Sequence, residues 1–246
     1  MLTRHWKRWF GIALVALSLA IYCAEMLIFQ TPRDTLFYLV QDLAFLPISV
    51  LFVTLILSEV LELRDRRVRL HKLNMVIGAF FSEVGTVLLG MLSTYDTQLD
   101  DIRADVRLEA GWTDEQFAAV RLRLAAGHGV TDSRRADLAE LRDFLAERRV
   151  FILALLQNPS LLEHESFSEL LWAVLHLTEE LVGRPSLVGL PEPDLNHLSG
   201  DISRAYRLLM ERWLAYMDHL SQSYPYLYSL AVRSNPLDPS AEVVIS

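Results

Sequence analysis

Two apolar runs near the N-terminus constrain this chain more than any other feature. Trp9 to Phe29 is almost uninterrupted hydrocarbon, and about 20 such residues in a helix match the ~30 Å core of a bilayer. Leu36 to Leu57 repeats the pattern after a break at residues 30–34. Pro32 favours a tight turn there. The first run is too long for the apolar core of a cleaved signal peptide and carries no A-x-A-like site. The expectation is a hairpin of two transmembrane helices (about 9–29 and 36–57) within residues 1–61.

Charge gives the hairpin an orientation. Basic residues cluster at Arg4–Arg8 and again at Arg64–Lys72, with only Arg33 between the runs. By the positive-inside rule both ends lie in the cytoplasm, so the expected location is the inner (cytoplasmic) membrane. The whole chain carries −8. Residues 1–61 balance to zero and residues 62–72 hold five basic against two acidic groups, which leaves −11 for residues 73–246. So acidic a domain repels phosphate backbones and argues against nucleic acid as a partner. Cys23 is alone in an apolar run, which excludes an intramolecular disulfide and a thiolate zinc site.

Polar groups within the spans are costly and therefore informative. Glu25, Gln41 and Asp42 fall near the outer ends, where snorkelling is the simple account. The alternative is a homo-oligomeric pore lined by the second helix, with Gln41 and Asp42 at its mouth and Ser49 and Thr54 deeper in. Pro47 is placed to bend that helix. No TVGYG-like filter supports a pore.

Residues 62–234 read as an all-α cytoplasmic domain, with a stalk or core helix at about 62–92. Leu70, Leu73, Ile77, Phe80, Val84, Val87 and Met91 alternate in steps of three and four, a heptad seam. Asn74, Ser82, Glu83 and Thr86 make insertion of 73–92 as a third span unfavourable. The stretch is expected to be either the domain core or a self-association seam of a homo-oligomer. Glu83, on a helix apolar all round, then becomes a buried carboxylate needing a partner such as Arg204, Arg207 or His219. Further along, Thr113 with Gln116 forms a capping box for a helix ending at Gly127, and helices follow at about 133–156 and 160–183. Ser160 and Glu163 cap the last of these. After a proline-containing loop, a long helix opens at Asp194, read as its cap although it forms a DxxH with His197, and Pro225 interrupts it. Leu195, Leu198, Ile202, Ala205, Leu209, Trp213, Tyr216 and Leu220 trace its apolar side. Residues 235–246 are expected to be extended or mobile.

One constellation carries chemistry. On the helix at 160–183, Glu165, Glu169, Trp172, His176 and Glu180 share an arc of roughly 80° at 100° per residue. A carboxylate–imidazole–carboxylate row is a ligand set for a divalent metal; Asp218, Glu211 and Glu83 are candidates to complete it, and His219 from the long helix is the expected fourth member beside Glu169, His176 and Glu180. The same arc is also what the solvated face of an amphipathic helix looks like. Nucleotide-binding, serine-hydrolase, HExxH and paired ExxH patterns are missing, and no catalytic residues stand out.

The strings QDLAFLPISVLFVTLI (41–56), KLNMVIGAFFSEVG (72–85), LLEHESFSELLWAVLHLTEEL (161–181) and YPYLYSLAVRSNPLDP (224–239) resemble a family of small bacterial and archaeal membrane proteins. The resemblance implies two spans and a helical domain. It supplies no activity, cofactor or partner. The reading that follows is a membrane-tethered, self-associating helical module with a regulatory or interaction role and the lipid bilayer as a partner. A pore is the alternative, and a metal-dependent enzyme or metal sensor the third reading.

Overall fold

The computed structural model describes residues 3–29, 32–103, 106–109, 111–125, 129–161 and 164–244. These residues are all-helical, without a strand. A single isolated bridge pairs Asp96 with Thr131 among them. The chain divides into two units, Met1–Arg67 and Val68–Ser246.

The first unit contains α1 (Thr3–Phe29) and the N-terminal part of α2 (Pro32–Phe80), which Pro32 opens and Pro47 does not end. Every described side chain from Leu36 to Leu57 is exposed except half-buried Ser49. On α1 only Tyr22 and Glu25 are partly covered between Ile12 and Ile28. Among the described residues one helix is long and apolar enough to cross a membrane, within Leu36–Ser93 at a mean hydropathy of 2.3, and Ile12–Ile28 is a shorter apolar stretch.

The second unit is a helical domain built around α8 (Glu192–Ser223), which packs against α7 (Glu165–Val182), α5 (Asp114–Ala125), α9 (Pro225–Arg233) and α3 (Thr86–Ser93). The other elements are α4 (Leu99–Ile102) and α6 (Leu138–Leu156), the latter packed on α7. On α8, Leu198, Ile202, Ala205, Leu209, Trp213 and Leu220 recur at helical spacing and are buried. This is the amphipathic stripe expected from the sequence. Tyr206 and Met217 fill the same face.

The heptad seam does not run through. Between α2 and α3 lies one turn of π-helix, Phe81–Gly85, which inserts an extra residue and rotates the following face. Leu73 and Phe80 are buried before the turn. Within it the core takes Phe81 and Val84, and after it Leu88, Leu89 and Leu92, so Val87 is left 51 % exposed. Glu83 is therefore solvent-exposed, not buried. Its backbone carbonyl accepts from Arg148 Nε at 3.3 Å, and the expected partners Arg204, Arg207 and His219 play no part in it. The seam residues that are buried belong to the core of the domain.

Phe81 stacks on Tyr216 at 5.0 Å, and Phe80 meets Phe167 edge-on at 5.4 Å. Both rings close over Gly85, where an added Cβ would stand 2.6 Å from Phe81 and 2.8 Å from Phe80. Gly85→Ala is expected to cost about 1–3 kcal/mol, the usual range for overpacking a core. A urea midpoint equal to wild type would show that the rings yield freely.

Other boundaries shift modestly. Thr113 N–H donates to Gln116 Oε1 at 2.8 Å, half of the expected capping box. Gly127 and Glu163 lie outside the described residues, as does the Ser160 side chain. The helix placed at 160–183 begins at Glu165 after a short 3-10 turn, Pro159–Leu161. The C-terminal segment is not extended throughout. Asn235 and Leu237 are buried, and Asn235 Nδ2 donates to the Val106 carbonyl at 2.9 Å.

Candidate functional site

The helical hairpin α7–α8 brings two matching sequence pairs together. His176 and Glu180 are four apart on α7, and His197 and Asp201 are four apart on α8, so each pair occupies one face of its helix. Apolar burial sets the register, with Leu170, Val174, Leu177 and Leu181 packed from α7 and Leu198 and Ile202 from α8. The polar pairs lie along the edge of that contact.

His176 Nε2 is 3.9 Å from Glu180 Oε1 and 3.5 Å from Asp201 Oδ2. His197 Nε2 is 3.5 Å from Glu180 Oε2 and 3.2 Å from Asp201 Oδ2. One ligand atom each from His176, Glu180 and Asp201 lie within 4.8 Å of one another. The imidazoles are about half exposed, whereas the Asp201 side chain is only 5 % exposed. Its Oδ2 accepts no hydrogen bond.

Arg184 closes one side of the cluster. Its Nη1 donates to Glu180 Oε2 at 2.8 Å, while Nη2 and Nε grip Asp194 at 2.6 and 2.9 Å. The hydrogen bond from Arg184 holds the Glu180 carboxyl below the usual carboxylate range, against the opposing effect of burial. It does the same for Asp194. Asp194 thus anchors the interhelix loop through Arg184, and it gives α8 no side-chain cap. Arg204 Nη1 stands 3.6 Å from Asp201 Oδ1.

Of the four expected metal ligands, only His176 and Glu180 share this place. Glu169 lines a separate open cleft with Leu156, His164, Ser166, Ser168 and Trp172. His219 lies 22 residues beyond His197 on the same helix, roughly 33 Å at 1.5 Å per residue. Its Nδ1 is 3.3 Å from Asn74 Nδ2, and burial lowers its pKa. His197 and Asp201 are the members that sequence reasoning missed. The signal is a second i,i+4 histidine–carboxylate pair, in which His197 also belongs to the DxxH that starts at Asp194.

The pore candidates are placed less suggestively. Gln41 and Thr54 are exposed on α2. Asp42 Oδ2 accepts from Tyr22 Oη at 3.1 Å, which ties α1 to α2. Ser49 Oγ returns to the Phe45 carbonyl of its own helix at 3.2 Å.

Similarity to known proteins follows the same division of the chain. The family model described as MJ1433, N-terminal helical domain, matches residues 2–61. The model described as uncharacterized protein MJ1433, C-terminal helical domain, matches residues 69–233. Uncharacterized protein MJ1433 of Methanocaldococcus jannaschii is 42 % identical over 234 residues, which cover 95 % of this chain and 94 % of that protein. No solved structure matches.

Proposed function

This chain belongs to the family of the uncharacterized archaeal protein MJ1433, with its N- and C-terminal helical domains, and on that premise we propose that it is a membrane-tethered, non-enzymatic module. In this reading the N-terminal domain is the anchor, and the C-terminal domain binds its ligand or partner at the cytoplasmic face. The observation that carries it is the bare apolar surface of Leu36–Leu57, joined by that of Ile12–Ile28. A contiguous apolar surface of this size calls for a bilayer or a protein partner, and the flanking basic clusters favour the bilayer. The polar pair Tyr22–Asp42 is satisfied between the two helices, as groups in hydrocarbon must be.

The expected result is recovery of the full chain in the carbonate-washed membrane fraction, with a C-terminal reporter active in the cytoplasm. An external reporter signal, or release by carbonate, overturns the reading. The pore alternative has less support, because Asp42 is engaged by Tyr22 and Ser49 by its own helix. A pore also needs a closed ring of copies. A monomer in detergent removes the pore and leaves the tether standing.

A further inference from the structure

We propose that His176, Glu180, His197 and Asp201 bind one first-row divalent transition-metal ion, zinc being the reference case, at the edge of the α7–α8 hairpin. The proposal goes beyond the membrane-tether reading, which requires no metal.

Three features point the same way. The donors are two imidazole nitrogens and two carboxylates, a set that zinc, iron and nickel accept and that calcium and magnesium do not favour. The spacings form the second feature. At 3.2, 3.5, 3.5 and 3.9 Å, all four are longer than a good charge-assisted hydrogen bond of ~2.7–2.9 Å. Four ligands ~2.0–2.1 Å from a tetrahedral ion stand ~3.3 Å apart; one donor each from His176, Glu180 and Asp201 lie within 4.8 Å of one another, and His197 Nε2 stands 3.2 Å from Asp201 Oδ2. The third is Asp201, whose Oδ2 accepts no hydrogen bond although the side chain is 95 % buried, and which faces both imidazoles. A buried carboxylate oxygen without a donor is costly, and an ion between the imidazoles relieves that cost.

Local charge agrees. With neutral imidazoles, the carboxylates of Glu180, Asp194 and Asp201 face the guanidinium groups of Arg184 and Arg204, for a net of −1. Of the two Glu180 carboxylate oxygens Arg184 holds Oε2, and Oε1 is left facing His176.

The test uses the full chain in detergent, stripped with a chelator and titrated with zinc chloride against a chromophoric competitor. The expected result is one equivalent bound, together with a rise in melting temperature, since a ligand stabilises the state it binds. His176→Ala and His197→Ala change half-exposed positions and should fold. Each should weaken zinc binding at least about tenfold, because disturbing even the groups that support a ligand commonly costs 10–100-fold. Asp201→Asn should abolish binding with helicity retained. Glu169→Gln, in the separate cleft, should bind as wild type. A cobalt-loaded sample should show ligand-field absorbance that His197→Ala removes. Absence of stoichiometric zinc in wild type overturns the proposal. So does undiminished binding in the folded His176→Ala and His197→Ala proteins. The topology reporter reads the tether independently, so either idea can fail alone.

Discussion

Val84→Asp is expected to unfold the C-terminal domain, whereas Val87→Asp, three residues on, should leave it intact. Val84 is wholly buried within the π-turn, while Val87, just beyond it, is 51 % exposed. Burying an unpaired carboxylate belongs with the rare substitutions costing more than ~4–5 kcal/mol, a large part of the ~5–15 kcal/mol that stabilises a domain. At Val87 the carboxylate stays hydrated, and the change should remain within ~0.5 kcal/mol. Helicity and urea midpoints of the two variants decide the matter. Equal losses would mean that an uninterrupted heptad is buried and that the π-turn does not form.

That contrast marks where the sequence stops being legible. Leu70, Leu73, Ile77 and Phe80 predict their own helix well, because a 3–4 spacing of apolar residues needs a core on one side. Nothing in GAFFSEVG announces that the spacing breaks, since Phe80 and Phe81 are equally good core residues. Only the packing of both rings, one on Phe167 and the other on Tyr216, selects the extra residue. The misplacement of Glu83 follows from that single shift of phase. By contrast, α8 could be read almost residue by residue from its apolar stripe, because no irregularity interrupts it.

The candidate site divides in the same way. His176 and Glu180 were legible because one helical turn places them together whatever the tertiary structure. The partners from α8 were not, since choosing between His197 and His219 depends on which end of a 32-residue helix meets α7. The loop supplies the missing constraint. Residues 183–191 are too few to bring any part of α8 but its N-terminal turns beside Glu180. Loop length therefore favours His197, and helix rise excludes His219.

Arg184→Met should have opposite effects on the empty and the zinc-loaded protein. In the empty protein Arg184 separates Glu180 from Asp194, with Asp201 beyond. Removing its charge leaves three carboxylates in mutual repulsion, and the melting temperature at neutral pH should fall. Acid sensitivity should change as well. Glu180 and Asp194 have pKa values depressed in the folded state, chiefly by hydrogen bonds from Arg184. Their stabilisation is present above the unfolded carboxylate range of about 4–4.5 and is lost as pH falls through the depressed folded values. Without Arg184 that contribution is missing at every pH, so the loss of stability below about pH 4.5 should be shallower than in wild type. Zinc should respond the other way. A cation is removed from beside the ion, and Glu180 Oε2 becomes free to coordinate. Even at the dielectric constant of water, a unit charge ~5 Å from a dication contributes about 1.7 kcal/mol of repulsion. Relief of that repulsion corresponds to roughly tenfold tighter binding. Calorimetric melts with and without zinc, across pH, measure both effects in one series. A variant that loses stability yet binds zinc no more tightly would show that Arg184 organises the carboxylates as ligands and does not compete with the ion.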